Sequence, residues 1–66
     1  MIGDNIKFYR KKNQLTQDDI AAACNVTRRA VSKWENGKTQ PDIQTLSMLA
    51  STLEVSEEDL IYGPSD

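Results

Sequence analysis

Sixty-six residues leave room for one small domain, and with 38% apolar residues, a single cysteine and no histidine the chain has neither a disulfide nor a zinc ligand set to staple it. A fold of this size buries only about 60% of the surface its unfolded chain exposes, so tight helix packing, with or without a second copy, is the remaining route to a core. The net charge of −2 hides a division: residues 1–40 carry all eight Lys and Arg against four acids, a balance of +4, while residues 41–66 carry six acids and no base.

Charge blocks are often plain solvated faces, but this division also gives the chain one end suited to a polyanion and one that is not. No apolar run approaches the roughly 18 residues of a membrane span, and the first residues do not follow the basic-then-apolar order of a signal peptide. A cytoplasmic protein without membrane contact is expected.

Ile2, Ile6 and Tyr9 recur on one helical stripe, with Lys7, Arg10, Lys11 and Lys12 at its sides or back, which predicts an amphipathic helix over residues 2–12. Phe8 falls off the stripe, at the edge of a core or in an exposed contact patch. Asn13-Gln14 breaks the pattern, and Thr16 with Asp19 three residues on makes a capping box that starts a second helix at about Gln17. Ile20, Ala21 and Cys24 face inward from it, Cys24 as a small buried hydrophobe rather than a reactive thiol. Asn25 takes the sharp turn that follows, because Asn tolerates the left-handed conformation.

Val26 packs the turn and Thr27 caps a third helix. On it Val31 and Trp34 point inward, while Arg28, Arg29, Ser32 and Lys33 spread over the opposite face. Asn36-Gly37 stops this helix, Gly37 supplying the positive φ of a C-terminal cap. After a loop at 38–41, Pro41-Asp42 opens a fourth helix with Ile43, Leu46, Leu49, Ala50 and Leu53 on its apolar face and Met48 on the far side. Ser56 with Asp59 repeats the capping signature, Leu60-Ile61 closes a short fifth helix, and residues 63–66 read as a tail.

Residues 17–36 are thus two short helices joined by a tight turn, the first with a small residue, Ala21, where two backbones meet and the second projecting two arginines. That is a helix-turn-helix, a DNA-reading device. Unpaired N–H groups and the positive dipole end at a helix start suit Gln17 and its neighbours to a phosphate, and Arg28 and Arg29 have the bidentate geometry that reads guanine edges.

The ordered series Ile2-Gly3, Ile6, Arg10, Leu15-Thr16-Gln17, Ile20-Ala21, Val26, Val31-Ser32, Trp34-Glu35-Asn36-Gly37-Lys38, Pro41, Leu46, Leu49-Ala50, Leu53 and Val55-Ser56 resembles the Cro and phage-repressor-like helix-turn-helix family, often called the XRE family. The match spans nearly the whole chain; Asn25 stands where the family commonly has Gly. The resemblance implies an all-α fold, a compact five-helix lambda-repressor-like DNA-binding domain over residues 1–62 with a C-terminal tail at 63–66. It implies base contacts from Arg28, Arg29, Ser32 and Lys33, phosphate contacts from Gln17, Asn36, Lys38 and Thr39, and a structural ion pair between Arg10 and Glu35.

The expected function is a sequence-specific transcriptional regulator, a repressor, that reads an operator major groove in double-stranded DNA with the helix at 27–36. A homodimer is expected from the two-fold habit of the motif, with Phe8, Met48, Ile61 and Tyr62 as candidate apolar contacts. No cofactor, metal or small-molecule ligand is expected. The rival reading is a protein-interaction module on the same fold, an antitoxin or anti-repressor adaptor. An enzyme is disfavoured, since the chain lacks His, a phosphate-cradling Gly loop and a nucleophile–base pair.

Overall fold

The computed structural model describes residues 1–64, which form five helices: α1 (Ile2–Lys12), α2 (Gln17–Cys24), α3 (Arg28–Glu35), α4 (Ile43–Leu53) and α5 (Glu57–Tyr62). No strand occurs among the described residues. Of the expected tail, Gly63 and Pro64 are described and Ser65 and Asp66 lie outside the described residues.

The helix starts follow the side-chain chemistry. Thr16 Oγ1 accepts from the Asp19 amide at 3.1 Å while Asp19 Oδ2 accepts from the Thr16 amide at 2.8 Å. Ser56 and Asp59 repeat this reciprocal box at α5. Thr27 caps α3 through the Ala30 amide, and Asp42 caps α4 through the Thr45 amide at 2.8 Å. Each such cap contributes about 1 kcal/mol.

The helix stops share one device. Leu15, Val26, Lys38 and Val55 donate their amides back to the carbonyls of Arg10, Ala21, Lys33 and Ala50, at 2.9–3.0 Å, closing α1, α2, α3 and α4. The residue before each donor is left-handed: Gln14 at φ 59°, Asn25 at 56°, Gly37 at 74° and Glu54 at 59°. Asn25 and Gly37 match the expectation from sequence. Gln14 and Glu54 carry no such signal, and each pays roughly 1–2 kcal/mol for its conformation. The offset comes from the next residue: Leu15, Val26 and Val55 all pack against the core.

All five helices supply that core, through Ile6 and Tyr9, Ile20, Ala21 and Cys24, Val31 and Trp34, Leu46, Leu49, Ala50 and Leu53, and Leu60. Complete burial of Ile6, Ile20, Val31, Leu49, Leu53 and Leu60 stabilises by about 1.5–3 kcal/mol per side chain. α1 lies against α3, α4 and α5, and α2 against α3 and α4, so the motif is braced from behind on both sides. Two amides tie α1 to the C-terminal half: Asn5 Nδ2 donates to the Leu60 carbonyl at 2.8 Å, and Asn13 Nδ2 to the Leu53 carbonyl at 3.2 Å. Gly3 is buried where α1 meets the last turn of α3, with the Trp34 carbonyl oxygen in the place a Cβ would take. Cys24 is buried, and burial pushes its thiol pKa up, which keeps it protonated and unreactive.

Arg10 stands on the flank of the α1 stripe and is buried there, because Glu35 from α3 meets its guanidinium. Two expectations fail on tertiary packing. Ile43 shares the azimuth of the α4 stripe yet is 84% exposed, since it sits in the first turn where no other helix covers it. Met48 does not face away; it is half-buried against the core, because α4 is contacted by α1, α2 and α5 and so covers a wider arc than one stripe.

Candidate nucleic-acid interface

The geometry of α2 and α3 is set by one buried polar cluster. The Arg10 guanidinium reaches from α1 and donates from Nε to Glu35 Oε2 at 2.7 Å and from Nη2 to Glu35 Oε1 at 3.0 Å. Its remaining arm, Nη1, donates to the Leu15 carbonyl at 2.9 Å, one residue before the α2 cap. One side chain thus binds the approach to α2 and the end of α3 together. The Glu35 side chain is only 3% exposed, and it accepts a third hydrogen bond, from Gln17 Nε2 to Oε1 at 3.1 Å. Among the described residues no buried side-chain polar atom lacks a partner.

Burial alone would raise the Glu35 pKa, but hydrogen bonds from Arg10 and Gln17, with the charges of Arg10 and Lys7, hold it below the usual carboxylate range. Hydrogen bonding to Glu35 outweighs burial at Arg10 and raises its pKa. Hydrogen bonds from Thr16 and Thr45 depress the pKa values of Asp19 and Asp42 in the same way. A depressed carboxylate stabilises the fold fully above its unfolded pKa, and that contribution is lost as pH falls through the folded value. Stability is therefore expected to hold near neutrality and to decline progressively below about pH 4, which thermal melts from pH 7 to pH 2 would check. A flat melting temperature across that interval would contradict the network.

Away from the core, α3 presents Arg28, Arg29 and Lys33 to solvent, with Ser32 half-buried between them. At 100° per residue Arg29, Ser32, Lys33 and Asn36 fall within an arc of about 100°, and Arg28 stands at its edge. Asn36 Nδ2 donates to Ser32 Oγ at 3.3 Å, so the cap of α3 steadies a residue in the middle of this face. The following loop folds back on the same turn: the amides of Lys38 and Thr39 donate to the Lys33 carbonyl at 2.9 and 3.4 Å. Asn36, Lys38 and Thr39 are all exposed. Gln17 is half-buried at the start of α2 and bonded to Glu35.

Of the expected contact residues, Arg29, Ser32 and Lys33 share one face of α3 with Arg28 at its edge, Asn36, Lys38 and Thr39 are exposed where that helix ends, and Gln17 is tied to the last turn of α3 through Glu35. The Arg10–Glu35 pair is present as expected. The participation of Gln17 in that pair was not legible from the sequence, because eighteen positions separate it from Glu35 and no local periodicity links them. Of the dimer candidates, Met48 is half-buried against the core and Tyr62 is exposed. Phe8 is about half-exposed and edge-on to Tyr9, with ring centroids 5.1 Å apart. Ile61 lines an open groove of about 420 Å³ with Met1, Ile2, Gln40, Pro41, Ile43 and Leu46.

A family model described as "Helix-turn-helix" matches residues 6–60. An HTH-type transcriptional regulator of Bacillus subtilis, YqaE, is 36% identical over 66 residues, all of this chain and 57% of its own length. The P22 c2 repressor, solved in complex with a synthetic operator, superposes with a TM-score of 0.90 at 30% identity, covering 97% of both chains. SinR, described as a master regulator for biofilm formation and solved in complex with DNA, gives a TM-score of 0.83 at 35% identity over 92% of this chain and 98% of that one. The chain spans about half the length of the curated relatives it matches, between 48% and 58% for three of them.

Proposed function

The chain belongs to the helix-turn-helix family whose model it matches, and from that premise we propose that residues 1–62 form a sequence-specific DNA-binding unit of a transcriptional regulator, a repressor acting in the cytoplasm. The observation that carries this reading is the exposed face of α3, three cations and a steadied serine on a short, doubly braced helix. It is the reading of a binding protein, not of an enzyme. In it Arg28 and Arg29 read base edges in the major groove, Ser32 and Lys33 support them, and Gln17, Asn36, Lys38 and Thr39 fix the register on phosphates. The acidic second half faces away from DNA and orients the basic end toward it. Asp18, exposed beside Gln17, opposes a phosphate there, so the contact must come from N–H donors.

Selection of bound sequences from a random duplex pool tests the proposal directly. Arg28→Ala is expected to flatten the preference at one base position by about 1–3 kcal/mol, whereas Gln17→Ala weakens all sequences alike. Binding that ignores both changes, or that does not weaken as salt rises, would sink the DNA reading.

The proposed assembly is a homodimer. The domain is 32 Å in its longest dimension, comparable with one helical turn of about 34 Å between half-sites. Of the candidate contacts, Ile61 and the 82%-exposed Tyr62 lie on α5, and Ile61 shares its groove with the exposed Ile43. Ile61→Glu is expected to shift the chain toward monomer in sedimentation and to weaken operator binding at least tenfold. A monomeric wild-type chain at high micromolar concentration, alone and on DNA, would remove the dimer.

A further inference from the structure

We infer that Glu35 is a positioning residue for the DNA contact, orienting the Gln17 carboxamide so that the phosphate-facing start of α2 is coupled to the end of α3. The inference rests on the proposed DNA-binding reading and extends it to a residue that is buried and touches no DNA.

A carboxylate only accepts hydrogen bonds, so a carboxamide beside it must present its nitrogen. Gln17 does so, with Nε2 3.1 Å from Glu35 Oε1. The choice between the two faces of the amide is therefore made by Glu35, and the carboxylate is itself clamped by two hydrogen bonds from Arg10 at 2.7 and 3.0 Å. An amide nitrogen carries two N–H groups, and only one is used by Glu35. The other remains for an anion, beside the first-turn amides of Gln17 and Asp18, for which the cap provides no acceptor: Thr16 Oγ1 takes the Asp19 amide and the Thr16 carbonyl takes the Ile20 amide.

The same carboxylate thus ends α3 and aims the side chain that begins α2. A glutamine free in solution pays rotamer entropy when it grips a phosphate, and one already held loses less. Glu35 also lies at the last turn of α3, followed by the Asn36–Thr39 loop. The phosphate donors on both sides of α3 therefore share one buried reference point.

The test is a double-mutant cycle on affinity for random-sequence duplex DNA, because a phosphate contact is indifferent to sequence. Removing Glu35 alone leaves the buried Arg10 charge without a counter-ion, so the background variant is Arg10→Met/Glu35→Leu, which replaces the pair by apolar side chains, with folding verified by circular dichroism. Gln17→Ala in the wild-type chain is expected to weaken binding about tenfold. The paired variant is expected to be weakened by a similar factor, and Gln17→Ala added to it to cost less than about twofold. A full tenfold loss from Gln17→Ala in both backgrounds overturns the positioning role alone. No loss in either overturns Gln17 as a phosphate contact, and the inference with it.

A second measurement needs no DNA and no refolded variant. In NMR spectra of the free wild-type chain, the two Nε2 protons of Gln17 should be well separated, one shifted by the carboxylate. Two protons at the ordinary separation of a solvated glutamine would overturn the geometry regardless of how DNA binds.

Discussion

Glu35→Leu alone is expected to destabilise the fold by about 3–5 kcal/mol, and Arg10→Met alone by a similar amount, while the two together are expected to be close to neutral. The Arg10 side chain is 10% exposed and that of Glu35 3%. Deleting the carboxylate leaves a guanidinium with one remaining hydrogen bond, to the Leu15 carbonyl. Deleting the guanidinium leaves a carboxylate held only by Gln17. In each case a charge is stranded in a medium that solvates it poorly, and that cost exceeds the value of the pair itself. A chain of this size has a total stability of roughly 3–10 kcal/mol, so either single variant should be largely unfolded or close to it at 37 °C. Chemical denaturation of the three variants measures the asymmetry. Additive losses in the double variant would mean that the pair acts as two independent contacts and not as a mutually compensated unit.

Gly3→Ala is expected to destabilise by about 3 kcal/mol, lowering the melting temperature by roughly 15 °C. The sign is informative. Position 3 lies inside α1, where alanine is intrinsically favoured over glycine by about 1 kcal/mol, so local propensity alone would predict stabilisation. A Cβ there would fall on the Trp34 carbonyl oxygen and crowd the Trp34 and Glu35 carbonyl carbons at 3.1 and 3.3 Å. Both obstacles are backbone, which cannot swing aside like the end of a side chain. α1 must lift off the last turn of α3, opening the contacts of Ile6 with the core and pulling Arg10 from Glu35. A thermal melt at or above the wild-type value would show that α1 and α3 are not in backbone contact.

The site was more legible than the fold's surfaces, and for identifiable reasons. Capping boxes at Thr16–Asp19 and Ser56–Asp59 and the turn at Asn25 are local devices that span a few residues, and each is found where the residues imply it. The outward face of α3 follows from the spacing of Val31 and Trp34, which bury the other side. Ile43 and Met48 exchanged roles because periodicity gives an azimuth but not the extent of the neighbours that cover it. A residue on the apolar stripe is exposed when its turn overhangs the core, and one off the stripe is covered when a third helix reaches it.

Helix number, helix starts and their caps, the stops of α2 and α3 and the polar face of α3 are thus set by interactions within about five residues, and amino-acid order suffices for them. The family likeness added the Arg10–Glu35 pairing, which spans 25 positions. Beyond both lay the left-handed stops at Gln14 and Glu54, the backbone approach at Gly3 and the hold of Glu35 on Gln17. Each depends on where separate helices come to rest against one another, and that position is a sum of many small packing contacts that no short pattern of residues encodes.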